Sequence, residues 1–351
     1  MNKYVIVEVA GDYNHAGSKA TADIAVIAKQ NGFQPLNLRM CSTLNTKIAK
    51  VQRQIGYEKD WKKIVNTIED GSLVLLQHPF HYPQLTREKS LRILKYKKHV
   101  KIISVIHDVE KLRAFRYNEY YKNEFSFMLS IADMYIVHNH IMKDYFIECG
   151  IPEEHIVVLD IFDYVMRGPL KEKALFADSL SIAGNLDTTK CGYIGQLGQL
   201  KDIRICLYGS NYNEDLNSYS NINYFGSFPP EDIPNQLKSG FGLVWDGNSI
   251  EGCLGESGQY LKYNNPHKLS LYLASGLPVV IWKDAAEAEF VKEHHVGVCV
   301  DSLYEAQKVI SKISKKEYEE MAKSVWLLAA DLRTGHYFAQ ALKEACFGIG
   351  K

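Results

Sequence analysis

The sequence predicts an α/β protein built from two doubly wound, Rossmann-like domains facing a cleft. Short β-branched runs alternate with longer helical segments, the alternation occurs twice, and a Gly168-Pro169 break separates the two series. The strand-like runs lack strict polar alternation, as expected where helices cover both faces of a parallel sheet. At 351 residues the chain is long enough for two substantial cores.

In the first series the β-branched runs 4–9, 73–77, 101–106 and 134–137 read as strands. Segments 20–30, 61–68, 125–131 and 141–149 read as helices between and after them. In the second series the strands are 180–182, 203–208, 241–245, 278–281 and 297–300, with a short apolar helix over 267–274. The expected divisions are 1–165, 176–331 and a tail, 332–351. A last helix over 315–342 should break at Gly335, where a missing Cβ makes a turn cheap. Tyr337, Phe338, Ala341 and Leu342 would then carry the tail back onto the first domain.

Composition narrows the function. Hydrophobic residues at 46% and charged residues at 23%, with 41 basic and 41 acidic side chains, describe an ordinary globule with no bias toward a polyanion. No basic stretch interleaved with aromatics supports a nucleic-acid groove. The lysine-rich segment 91–101 reads as a solvated helical face, with contact to anionic lipid as the sharper alternative. Seven cysteines without a C-x-x-C pattern fit reduced thiols in the cytoplasm. The first residues read as a strand rather than a leader, and no apolar run reaches 18 residues. Lipid-linked material would therefore be met from the side, at the inner face of a membrane.

The polar residues that matter follow strands. Gly11-Asp12-Tyr13-Asn14-His15-Ala16-Gly17-Ser18-Lys19 opens a helix at the carboxyl end of the first strand, where α/β ligands bind, although its spacing is not that of a P-loop. His78 and His81 are weak metal candidates, and a wet loop or a sugar-stacking surface of Phe80 and Tyr82 is the better reading. His107-Asp108 with Arg113 follows the strand 101–106, and ionisable groups placed there are costly unless they face a cleft. Asp108 or His107 is the first candidate for an acid–base centre, with Asp12 and His15 second. His138 ends a further strand on the same cleft wall.

In the second series Gly184-Asn185, Lys190, Tyr208-Gly209 and Trp245-Asp246 lie in strand-end turns, where glycines admit a base or diphosphate. Tyr260-Leu-Lys262-Tyr-Asn264-Asn265-Pro-His267-Lys268 then places amides, lysines and a histidine at a helix start, which suits a nucleotide's phosphates and ribose.

Taken in order, these stretches resemble bacterial β-1,6-galactofuranosyltransferases of cell-surface polysaccharide assembly. They are similar, more distantly, to glucosyltransferases that glycosylate serine-rich adhesins. The matching stretches include Ala16-Gly-Ser-Lys19, Ile106-His-Asp108, His138-Asn139, Ala183-Gly-Asn-Leu186, Phe241 to Gly247 and Asn264 to Lys268. The resemblance implies a GT-B fold whose second domain holds UDP-galactofuranose through Gly184, Asn185, Lys190, Tyr208, Gly209, Trp245, Asp246, Tyr260, Lys262, Asn264, Asn265, His267 and Lys268. Gly17, Ser18, Lys19, Arg113 and His138 would serve the sugar acceptor, which is a glycan or a lipid-linked sugar. No metal or organic cofactor is implied, because no D-x-D centre is present. The match departs at Leu271, where many GT-B enzymes carry a ribose-binding glutamate. Two alternatives stay open: UDP-glucose-dependent transfer to an adhesin glycan, and a non-catalytic nucleotide-sugar-binding subunit. Self-assembly into a homo-oligomer stays open as well.

Overall fold

The computed structural model describes residues 1–9, 16–42, 44–80, 82–114, 118–168, 170 and 172–350, with backbone alone at 16–18. The first half contains β1 (Lys3–Val9), α1 (Ala16–Gln30), β2 (Gln34–Arg39), α2 (Lys47–Thr67), β3 (Leu73–His78) and α3 (Arg87–Lys97). It continues through β4 (Lys101–Ile106), α4 (Glu110–Arg113), α5 (Glu119–Ile131), β5 (Met134–Val137), α6 (His140–Glu148) and β6 (Ile156–Val158). These strands form one parallel sheet in the order β2-β1-β3-β4-β5-β6.

The second half opens with β7 (Leu175–Ala183), β8 (Arg204–Tyr208), β9 (Ile222–Tyr224) and β10 (Ser239–Val244), linked by short 3-10 turns. Next come α7 (Gly255–Gln259), α8 (His267–Ala274), β11 (Val279–Trp282), α9 (Ala288–Glu293), β12 (Gly297–Val300) and α10 (Leu303–Ile310). This sheet is also parallel, in the order β12-β11-β10-β7-β8-β9. Two doubly wound domains therefore face each other, as the sequence leads one to expect.

Burial explains which strands were legible. β3 and β5 are buried along their whole length, so every residue is selected to be apolar or internally bonded. The strands absent from the sequence reading are β2, β6 and β9, and all three lie at sheet edges. Edge strands need no double-sided apolar run, and β2 even carries Pro35, which an edge tolerates. α2 also begins at Lys47, well before the predicted residue 61, with Thr46 accepting from the Ala49 amide as its cap.

The first sheet is covered on one face by Tyr57, Trp61 and Ile64 of α2, Leu91 and Leu94 of α3, and Phe127 and Ile131 of α5. On the other face α1 is joined by Phe338, Ala341, Leu342 and Ala345 of the last helix, α12 (His336–Ile349). The preceding helix, α11 (Lys315–Thr334), packs in the second domain through Tyr318, Val325 and Leu332. Gly335 between them sits at φ 85°, and a Cβ there would come within 2.5 Å of Ile27. Asp163 fixes the crossing by accepting from the Tyr337 and Phe338 amides at 3.2 and 2.7 Å. Burial raises its carboxyl to about 7 against those two bonds.

Candidate active site

Strands of both sheets end at a cavity of about 460 Å³ between the domains. β4 delivers Asp108 and Arg113 to it, and the interdomain segment delivers Tyr164. From the second domain come Gly184, Asn185, Lys190, Tyr208, Gly209 and Asp246, all at or just beyond strand ends. Tyr260, Asn264, His267, Lys268 and Leu271 complete that wall.

Glycine is required where two of these loops meet. A Cβ on Gly209 would lie 1.6 Å from the Gly184 carbonyl oxygen, so no side chain fits. Gly184 itself has φ 137°, and its open side faces Lys268 Cε at 3.8 Å. The two glycines thereby let a bound group approach backbone and lysine together. Lys268 donates to the Trp245 carbonyl at 3.3 Å. Burial works against its charge, but Tyr193, Asp246 and Cys191 more than offset this and raise its pKa. It is a fixed cation at the first turn of α8.

Beside it lie polar atoms without partners. Among the described residues, Asn264 Oδ1, Asn265 Oδ1, both ring nitrogens of His267 and Ser270 Oγ are buried without a hydrogen bond. Native structures leave few such groups, and of these Asn264 and His267 line the cavity, where a ligand can meet them. Burial, assisted by the charge of Lys19, lowers the His267 pKa to about 4. The ring is neutral at physiological pH and acts through hydrogen bonds rather than charge.

On the facing wall Arg113 donates to Asp108 Oδ2 at 2.7 Å and to Glu110 Oε1 at 3.3 Å. Burial opposes the guanidinium charge, but these two carboxylates outweigh it and its pKa rises. The pair holds the Asp108 carboxylate in one orientation at the cavity. Tyr260 reaches across from the second domain, its hydroxyl accepting from the Val109 amide at 3.0 Å and bonded to the Asp108 side chain.

Next to the cavity the domains meet in a hydrogen-bonded seam. His138 donates through Nε2 to the Ile106 carbonyl at 2.9 Å and accepts the Asn265 amide through Nδ1 at 2.9 Å. Those roles require a neutral ring, and burial lowers its pKa to about 4. Asn139 donates to Glu287 Oε1 at 2.9 Å and to the Tyr263 carbonyl at 3.1 Å. Asn265 Nδ2 donates to the Asp160 carbonyl at 2.8 Å. Burial raises Glu287 to about 8.

Several residues singled out in the sequence lie outside the cavity lining. His107 stacks on Phe162 at 5.4 Å and bonds Gln77 Oε1 at 2.8 Å. His138 and Asn265 belong to the seam. Trp245 is buried with its indole donating to the Ser249 carbonyl, and Lys262 sits over the Trp282 ring. Lys19 pairs with Asp23 and donates to the Val165 carbonyl at 2.6 Å, tying α1 to the interdomain segment. Gly17 and Ser18 lie in the first turn of α1, whereas Asp12, His15 and His81 fall outside the described residues. His78 is not on a wet loop: it is the buried last residue of β3, with a pKa lowered by burial to about 3. Phe80 is buried against Trp61 rather than offered to a sugar.

Ser227, Phe228 and Pro230 line the cavity and were not anticipated. They follow β9, an edge strand too short to announce itself, so nothing marked their loop as a strand end. Among the described residues no group of three or more His, Cys, Asp and Glu is placed to hold a metal. No described helix is long and apolar enough to cross a membrane.

Comparison with known proteins fits this geometry. Residues 3–161 match the Glucosyltransferase 3-like N-terminal domain, and residues 180–345 match the corresponding C-terminal domain. The β-1,6-galactofuranosyltransferase WbbI of Escherichia coli K12 is 35% identical over 259 residues, 72% of each chain. Glucosyltransferase 3 of Streptococcus gordonii is 27% identical over 335 residues, 94% of each. Among solved structures, Anabaena Alr3699/HepE in complex with UDP and glucose superposes with a TM-score of 0.60 at 13% identity, over 99% of this chain and 100% of that one. Two family domains, a relative above 30% identity and two facing parallel α/β sheets agree: the chain belongs to the GT-B glycosyltransferase family that includes WbbI and Glucosyltransferase 3.

Proposed function

We propose that the protein transfers galactofuranose from UDP-galactofuranose to a sugar hydroxyl, with inversion to a β-1,6 linkage, in surface polysaccharide assembly. The observation that carries this reading is the unpartnered Asn264 Oδ1 and His267 ring beside a fixed cation on one cavity wall, facing an oriented carboxylate on the other. In this reading the second domain holds the donor. Lys268 meets the diphosphate with Lys190 at the rim, Asn264 and His267 bond the nucleotide or its sugar, and Gly184 and Gly209 supply backbone.

The first domain presents the acceptor. Its hydroxyl oxygen attacks the anomeric carbon, and Asp108 takes the hydroxyl proton. The bond from that carbon to the β-phosphate oxygen breaks, and UDP leaves with the electron pair. Lys268 and the first turn of α8 stabilise the departing charge. Glucosyl transfer from UDP-glucose is the second reading, favoured by the match to Glucosyltransferase 3 over 94% of each chain.

The test is a screen of UDP-galactofuranose, UDP-galactopyranose and UDP-glucose with galactosyl and glucosyl acceptors, followed by linkage analysis. Transfer from UDP-galactofuranose to a β-1,6 product is expected. Transfer from UDP-glucose alone would establish the second reading, and an α-linked product would exclude inversion. Failure of every UDP-sugar to bind or react would refute both.

A further inference from the structure

The outer surface of the first domain carries a feature that sugar transfer does not use. α2 buries Ala49, Tyr57, Trp61 and Ile64 against the sheet, yet its opposite side is also apolar over the first half. Ile48 is 72% exposed, Val51 59% and Ile55 63%, at a spacing that places all three on the outward face. Leu44 and Leu85 flank them at 65% and 82%. Single exposed apolar residues are ordinary, but five on one surface are not.

Two side chains of α2 hold the flanking loops in place. Arg53 donates to the Leu44 carbonyl at 2.7 Å, while Gln54 donates to the Pro83 carbonyl and accepts from the Leu85 amide. The apolar residues are thus presented outward by bonded backbone instead of folding over one another.

Charge surrounds them. On α2 and on α3, packed beside it, eight basic residues are exposed against two exposed acidic ones, with Arg53 and Arg87 buried and Lys95 paired with Asp133. The whole chain is neutral, so this face concentrates positive charge that is balanced elsewhere. Lys59 and Lys62 continue the outward face of α2, and Lys89 and Arg92 are exposed on α3. A second copy docking by two-fold symmetry would set these basic faces against each other. An anionic bilayer would instead meet the lysines with its headgroups and take the isoleucines into its interfacial layer.

We propose that the outer face of α2 and α3, with Ile48, Val51, Ile55, Leu44 and Leu85 at its centre, docks the protein onto an anionic lipid bilayer. α2 begins after a short loop from the carboxyl end of β2, an edge strand that runs parallel to the cavity-facing strand β4. The inference concerns binding alone and is read without donor or acceptor, so it stands or falls separately from the proposed transfer reaction.

The experiment is co-sedimentation of the full chain with vesicles of phosphatidylcholine, or of equal parts phosphatidylcholine and phosphatidylglycerol, at low and high salt. Binding to the anionic vesicles only, weakened by salt, is expected. Lys59→Glu with Lys62→Glu should lower partition by roughly tenfold or more. Ile48→Ser with Ile55→Ser should lower it by a similar factor, about that expected for losing two apolar insertions. Circular dichroism and UDP binding should match the parent in both variants, because neither pair touches the cavity or the core. Equal binding to neutral vesicles, no binding to either, or unchanged partition by the variants would overturn the proposal. So would light scattering that shows an oligomer dissolved by Ile48→Ser with Ile55→Ser.

Discussion

The two halves of the interdomain boundary use the same residue types to opposite ends. In the seam, His138, Asn139, Asn265 and Glu287 spend their hydrogen bonds on one another and on backbone across the domains. A few residues away, on half-buried residues, Asn264 Oδ1 and the ring nitrogens of His267 are buried atoms without a side-chain hydrogen bond. Buried polar groups cost free energy unless paired. The paired set therefore holds the domains in register, and the unpaired set awaits a ligand's complementary atoms. Asn265 spans this division: its backbone amide and Nδ2 bond across the seam, while its Oδ1, like that of neighbouring Asn264, has no partner, a split that composition alone cannot show.

The largest effect should come from the cavity wall opposite the proposed donor site. Asp108→Asn keeps the shape but loses the proton affinity, so transfer should fall by about 10²–10⁴-fold while UDP binding is nearly unchanged. A rate near that of the parent would move the base elsewhere, to His107 or to the Asp12–His15 loop. Lys268→Ala should weaken UDP binding by roughly 1.5–3 kcal/mol, about one to two decades, as expected for a lost charge-assisted bond. Calorimetry with unchanged affinity would place the diphosphate away from α8. Lys190→Ala, at an exposed rim, should cost less.

The seam should answer to pH rather than to substrate. Glu287 is raised from an ordinary value of 4.5 to about 8, so the folded chain binds its proton more tightly than the unfolded chain does. Its contribution is full below the unfolded value and is lost as pH rises through the folded one. Glu287→Gln keeps an acceptor for Asn139 without the ionisation. The variant should melt like the parent at ~pH 5 and higher than it at ~pH 8.5, by on the order of a few degrees. Parallel melting curves at both pH values would show that Glu287 does not titrate in this window. The smallest expected effect is that of chelation. With Lys268 supplying the positive charge, transfer should continue in EDTA, and rescue by manganese after complete loss would reverse that expectation.

Local chemistry was legible and long-range pairing was not. The runs that became β3, β4, β5 and β10 are buried by helices, so their composition betrays them wherever they sit in the chain. Edge strands β2, β6 and β9 lack that pressure, and the Ser227–Phe228 loop went unseen with its strand. The amides, histidine and lysine at the start of α8 stood out because strand ends and helix starts are written in consecutive residues. Their division of labour did not, since Tyr260 meets Val109 across 151 positions and Asn139 meets Glu287 across 148.

Two parallel α/β domains, a glycine-and-lysine stretch in the second, and a cluster of Asp108 and Arg113 after a core strand in the first were readable from consecutive residues. Burial, helix starts and strand ends are local demands, and local residues meet them. Tertiary contacts alone set His107 on Phe162 while Asp108 faces the cavity, and bonded His138 to Asn265 across the domains. Those outcomes depend on which distant atoms arrive within 3 Å of a side chain, and no stretch of consecutive residues encodes that arrival.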